Sequence, residues 1–349
     1  MVSMEIETSS LKKIIVHIAG GKNYPDSSLL ANEEIFPGDE EMKILQHGFL
    51  NRFKTIAEHY SFHHSTSLEY NAAYNFCSQL FDNDDRFTEL SQSFARLLIE
   101  ASDHPKVKSG EFYVVLFEGL AVESRMHKAI GIFKAENKLF YLDVQKRKKQ
   151  LALEIREGIE AGKIDKGCLI INRDREEGYD VMIFDNQSRG EEALYWKEKF
   201  LGLKAREDEF HHTRHFLTLT RQFITGELDS EHNLPKTDQV ELLNRSIDYF
   251  KSHESFNIDE FQREVFGKEE IIDSFRDYGS QYTTVNDYDI AASFDISPMA
   301  VKKQSKIFKS IVKLDKNFHI YIHGRTDLIE KGVEADGRKF YKIYYQDEA

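Results

Sequence analysis

The residues with the clearest capacity for chemistry are cations. Between Ile296 and Lys316 the chain carries six lysines, Lys302, Lys303, Lys306, Lys309, Lys313 and Lys316, against one acid, Asp315, in a protein whose formal net charge is -13. Cations gathered on an acidic chain are what contact with a phosphate backbone requires, because each neutralised phosphate releases condensed counterions. The same residues also fit a solvated lysine-rich face with no ligand. A second basic run, Lys146-Arg147-Lys148-Lys149, reads as the opening of a helix after a strand ending at Val144. It either adds phosphate contacts or faces water.

Carboxylates and histidines offer two other chemistries. Glu136-Asn137-Lys138 has the E-x-K form of a Mg²⁺-dependent nuclease, and Asp143, Asp180 and Asp185 fall on or beside expected strands. In a chain that is 31% charged this spacing arises often by chance, so a nuclease is the lowest alternative. Asp208, His211, His212 and His215 share an expected helix, where His211 and His215 stand one turn apart and two imidazoles can meet one ion. There is no H-E-x-x-H and no third ligand, so no metal is assigned. Neither G-x-S-x-G, a P-loop nor G-x-G-x-x-G occurs, and Gly20-Gly21-Lys22 lacks the spacing of a phosphate loop. The expectation is a non-enzymatic protein without a cofactor.

The elements that must carry these groups follow from periodicity. Residues 11–18 are β-branched and stopped by Gly20-Gly21, a strand; 40–60, 67–81 and 87–101 repeat apolar residues at helical spacing. Residues 111–117, 127–133 and 138–144 are aromatic and β-branched runs, expected to be consecutive strands of one sheet, and 168–172 and 179–184 form a hairpin pair. Helical patterns return from Gly190 through Trp196 and Phe200, then over 206–223, 237–250, 258–266 and 269–278. Residues 306–314, 318–322 and 339–345 read as strands, with a helix through Lys313 as the competing reading of the first. The polar run 226–235, closed by Pro235, is the linker candidate. The fold class is therefore α+β: an N-terminal domain, 1–232, with a mostly antiparallel sheet and flanking helices, then a smaller helical domain, 233–349, ending in a β-hairpin.

At 349 residues, 40% hydrophobic and 12% aromatic, the chain is long enough for two cores and too apolar to be disordered. Cys77 and Cys168 stand far apart, which indicates neither a disulfide framework nor a zinc site. No stretch approaches the roughly 18 apolar residues of a membrane span, and the first residues are polar, so the expectation is a soluble, cytoplasmic protein without a membrane partner.

Several runs, taken in order, resemble the bacterial nucleoid-associated proteins of the NdpA-like or YejK-like family, in their Bacteroidetes-type versions. They are Leu120-Ala121-Val122, residues 131–137 (GIFKAEN), Gly178-Tyr179-Asp180-Val181, Phe184-Asp185, Tyr195-Trp196, Phe200-Leu201-Gly202-Leu203, and Phe294-Asp295-Ile296-Ser297 through Leu314-Asp315. The likeness spans nearly the whole chain and includes no catalytic signature. It implies a cytoplasmic protein of the bacterial nucleoid, with a role in chromosome organisation through double-stranded DNA or a DNA-processing protein partner. The lysine-rich tail is the part of the chain that fits this role. It can do so by backbone contact alone, or as a helix-turn-helix made of 289–294 and 298–304 with 309–323 as a wing; the alternative to the latter is a short capped helix packed on a sheet. A homodimer would double a modest basic patch.

Overall fold

The computed structural model describes residues 4–21, 27–103, 107–148, 150–186, 195–228, 230, 234–286, 288–306, 308, 311–314, 317–322 and 328–347, with side chains for all but 286 and 311–313. The chain divides into two compact units, Met1–Arg206 and Glu207–Ala349, and the fold is α+β.

The first unit is built on one antiparallel sheet. Its strands are β1 (Met4–Glu5), β2 (Ser10–Ala19), β3 (Tyr60–Phe62), β4 (Gly110–Val122), β5 (Arg125–Ala135), β8 (Lys166–Ile171), β9 (Asp180–Asp185) and β10 (Leu203–Ala205). The order is β1-β4-β5-β8-β9-β3-β10, with β2 also paired to β4. The central strands read as unbroken apolar runs because both faces are covered. Val114, Leu116, Ile130, Ile132, Cys168, Ile170 and Val181 point to one core, shared with α2 (Ala72–Asp82) and α3 (Phe87–Ala101). Val115, Phe117, Phe133, Leu169, Ile171 and Met182 point to the other, shared with Phe49, Leu50 and Phe53 from and just after α1 (Asp39–Leu50). The period-two alternation of each strand thus feeds two helical layers from one sheet.

Two helical expectations are shortened. The pattern over 40–60 ends at Leu50, and after the short 3₁₀ turn Asn51–Thr55 the chain becomes β3, whose Tyr60 and Phe62 are buried against β9 and β10. Likewise 67–81 becomes helical only at Ala72, where Asn71 caps it. The Asn71 carboxamide oxygen accepts from Tyr74 N–H at 2.9 Å, and its Nδ2 donates to the carbonyls of His63, Leu201 and Gly202. The single tryptophan, Trp196, lies in a π-helical turn, Tyr195–Phe200, at 1% exposure in the first core.

The larger correction concerns residues 138–158. β6 (Leu139–Arg147) does not join the sheet; it pairs with β7 (Gln150–Gly158) as a separate two-stranded ribbon. Lys146, Arg147 and Lys148 stand at its tip and open no helix, and Lys148 takes φ 54° in the turn. The alternation Leu151, Leu153, Ile155 is a strand period, which the charged start of the segment obscured.

Buried polar groups pin the sheet. His17, fully buried, accepts from Ala31 N–H through Nδ1 at 3.0 Å; this leaves Nε2–H to donate to Ser91 Oγ at 3.1 Å. Asp180, also fully buried, binds His59 Nδ1 at 2.6 Å and Arg173 Nε at 2.7 Å. Burial pushes its carboxyl upward, but the hydrogen bond from His59 and the charges of His59, Arg173 and Arg206 outweigh that and hold it below the ordinary carboxylate range.

The second unit is a phenylalanine-rich helical core. α4 (Glu209–Gln222), α5 (Lys236–Ser252), the turn α6 (Ile258–Phe261) and α7 (Glu269–Asn286) converge on Phe216, Phe223, Phe250, Phe261 and Phe275. Phe216 lies 4.3 Å from Phe256 and 5.0 Å from Phe261 between ring centroids. β11 (Ser255–Asn257) pairs with β12 (Ser293–Asp295), and α8 (Pro298–Ser305) follows. The chain then forms two ribbons: β13 (Ile311–Leu314) with β14 (Phe318–Tyr321), and β15 (Ile329–Val333) with β16 (Lys339–Ile343).

Two outcomes follow for the first unit, both readable by Trp196 fluorescence during chemical denaturation. Burial chiefly lowers the pKa of His17, to about 4, so the folded protein keeps it neutral while the unfolded chain takes up a proton below about 6.5. Its stabilisation is therefore complete above pH 6.5 and declines as pH falls toward 4; at pH 5 wild type should have lost about 2 kcal/mol that His17→Gln does not lose. Gly178 has φ 90°, and an added Cβ would meet the Phe62 carbonyl oxygen. Gly178→Ala should cost about 2 kcal/mol or more, and an unchanged midpoint would refute the strain.

Candidate nucleic-acid interface

α8 owes its position to its apolar side. Ala300, Val301 and Gln304 are buried, Gln304 Nε2 donates to Thr218 Oγ1 at 3.4 Å, and the helix packs on α4. Ser297 occupies the cap position without a side-chain capping bond; its own N–H donates to Thr213 Oγ1 at 3.0 Å, and Pro298 takes the first turn, where no amide hydrogen is needed. With one side fixed inward, Lys302 and Lys303 are forced outward, and Lys306 is exposed just past the end. None of the three is ion-paired to a described acid. Lys303 Nζ instead lies 5.0 Å from the centre of the Phe210 ring. Lys302 borders a cavity of about 540 Å³ lined also by Phe250, His253, Glu254, Ile296 and Pro298.

The remaining tail cations are only partly placed. Lys313 is in β13, its backbone opposite His319 in β14, and its side chain lies outside the described residues. Lys309 and Lys316 also lie outside them, as does Lys149. Lys306 precedes the strand expected to start there, which begins only at Ile311. At the ribbon tip Lys146, Arg147 and Lys148 are exposed, and Arg147 is paired with Glu154 at 2.6 Å.

The helix-turn-helix arrangement is not formed. Residues 289–292 are irregular, and Ser293–Asp295 is strand β12, drawn into pairing by Phe294, which stacks on Phe256 at 4.5 Å. What stands in its place is a short helix packed against α4.

Each carboxylate of the nuclease pattern is paired with a cation of its own. Glu136 meets Lys134 at 3.0 Å, Lys138 meets Glu111 at 2.6 Å, Asp143 meets Arg156 at 2.9 Å on the ribbon, and Asp185 meets Lys166 at 3.0 Å. Asp180 sits at the opposite end of β9 from Asp185. Glu136 and Asp185 do approach the same buried phenol, Tyr195, which burial first and these two charges second hold un-ionised. Lys134 beside them is lowered by burial, against the opposing pull of Glu136.

The histidines of α4 are aromatic packing groups. His211 and His215 lie 4.2 Å apart, and Tyr288 stacks on His215 at 4.6 Å. Asp208 caps the helix, accepting from His211 N–H at 2.9 Å. A different trio, His253, Glu260 and Glu264, brings one ligand atom each within 4.8 Å of one another. The Nδ1 of His253 donates to the Tyr249 carbonyl at 2.9 Å. The four-residue step from Glu260 to Glu264 was the available sequence signal. Exposed carboxylates gather in this way without a metal, so the trio enters no step of the functional reading.

Among the described residues no helix is long and apolar enough to cross a membrane. No match to a curated protein was found. A model of the family described as nucleoid-associated protein YejK matches residues 15–338, a span that takes in most of the sheet, the ribbon, the phenylalanine core and α8. With nearly its whole length matched, the chain belongs to the nucleoid-associated protein YejK family.

Proposed function

We propose that the protein works at the bacterial nucleoid by direct contact with the backbone of double-stranded DNA, without catalysis, and that the outward face of α8 is the principal contact. The observation that carries this reading is the trio Lys302, Lys303 and Lys306, exposed together on a chain of net charge -13 and unpaired with any described acid. Ion-paired lysines would have to break a contact before meeting phosphate; these do not. Lys309, Lys313 and Lys316 follow within a few residues and extend the same basic run. The ribbon tip, with Arg147 and Lys148, is a secondary contact, since a β-ribbon is narrow enough to enter a groove, and Lys149 continues its basic run in the sequence. Contacts of this kind position a protein on the duplex and carry little sequence information.

The alternative is recruitment by a DNA-processing protein through the acidic body of the molecule. The two separate in one titration. Fluorescence anisotropy with labelled duplex at low salt should show the triple variant Lys302→Glu, Lys303→Glu, Lys306→Glu weakened roughly tenfold or more, equally for unrelated sequences. Arg147→Glu with Lys148→Glu should produce a smaller loss. Full affinity in the triple variant would reject α8 as the contact, and absence of binding by wild type would favour the protein partner.

A further inference from the structure

The β6–β7 ribbon is amphipathic in a way its own unit leaves unanswered. Register places Phe140, Leu142, Val144, Leu151, Leu153 and Ile155 on one face, and these six are 59–76% exposed. The opposite face carries Leu139 and Tyr141 near the base, but from Asp143 to the tip it is mostly polar and internally paired: Arg156 reaches Asp143 at 2.9 Å and Glu154 at 3.1 Å, and Arg147 reaches Glu154. A two-stranded hairpin is marginal in water and needs a further layer on its apolar side. We propose that this layer is the same ribbon of a second copy, packed face to face and antiparallel, so that the protein is a two-fold symmetric dimer.

Charge selects both the occupant and its direction. The apolar stripe is framed by one cation and one anion on the same face: Lys146, opposite Leu151, at the tip end, and Glu157, opposite Phe140, at the base end. A copy turned end for end about an axis crossing the middle of the ribbon sets the Lys146 stem over the partner's Phe140, with its ammonium in reach of the partner's Glu157. The same pairing recurs at the other end, as an isologous contact demands. Leu142 and Ile155 then lie over the partner's Val144 and Leu153. Parallel packing would set Lys146 beside Lys146 and Glu157 beside Glu157, which like-charge repulsion disfavours. The six side chains together expose on the order of 600 Å² per copy, near the roughly 800 Å² that each partner contributes to a standard stable interface. This arrangement uses Lys146 in the dimer, leaving Arg147 and Lys148 outward at the tip.

The test uses the full chain without DNA, so its outcome is independent of the nucleic-acid reading. Sedimentation equilibrium should show a dimer, and Leu142→Glu with Ile155→Glu should raise the dissociation constant roughly tenfold or more. Trp196 fluorescence and circular dichroism should be unchanged, because these side chains belong to neither core. Lys146→Glu or Glu157→Lys alone should weaken the dimer, and the two together should restore it, which a merely sticky surface would not do. A wild-type monomer at about 100 µM, or a dimer indifferent to the glutamates, would overturn the proposal. Failure of the swap to restore association would overturn the antiparallel register.

Discussion

Like charge is the constraint on which the functional reading depends: a chain of net charge -13 repels a polyanion over most of its surface. Approach to DNA is possible only where acids are absent or already neutralised and cations are left over. On this reading α8 meets that condition, because Ala300, Val301 and Gln304 fix its inner side and helical geometry delivers Lys302 and Lys303 to solvent. In the sheet and ribbon stem of the first unit many cations are consumed instead. Arg173, Lys134, Lys166 and Arg156 each answer a named carboxylate, and they are unavailable for phosphate.

Buried ions give the first unit a specific rather than merely apolar interior. Lys134 and Lys166 are cross-strand neighbours, and Lys166 is opposite Asp185 on the next strand, a charged row through the end of the sheet. Such pairs contribute little net stability after desolvation, yet losing one partner leaves a buried charge without its counterion. They fix which residue of β5 faces which residue of β8, as the His17–Ser91 and Asp180–His59–Arg173 contacts fix helix and loop against sheet.

Much of this was legible in the sequence, and for identifiable reasons. The central strands announced themselves because burial on both faces leaves unbroken runs such as residues 112–117, and α3 because Phe87, Leu90, Phe94 and Leu98 keep one face. Pairing partners were not legible: nothing local in residues 138–144 distinguishes a strand that joins the sheet from one that leaves as a ribbon. β3 was hidden because Tyr60 and Phe62 continue a helical apolar pattern until tertiary pairing with β9 and β10 overrides it. The lysines of α8 could be named from the local concentration of charge, whereas their outward setting follows from the burial of Ala300, Val301 and Gln304 against α4. Their separation from the tail strands depended on Phe294, which pairs in β12 and leaves no first helix for a helix-turn-helix. The group His253, Glu260 and Glu264 needed α5 and the 258–266 turn to fold back on each other, a long-range event with only a weak local trace.

The measurement that tests the central claim most directly is the salt dependence of duplex binding by the purified wild-type protein. If the three outward lysines on and just after α8 each neutralise one phosphate, the logarithm of the binding constant should fall linearly with the logarithm of salt concentration, with a slope of about −3 per chain or steeper. A slope near zero, or no binding even at low salt, would contradict direct phosphate contact and place the protein at the nucleoid through another protein.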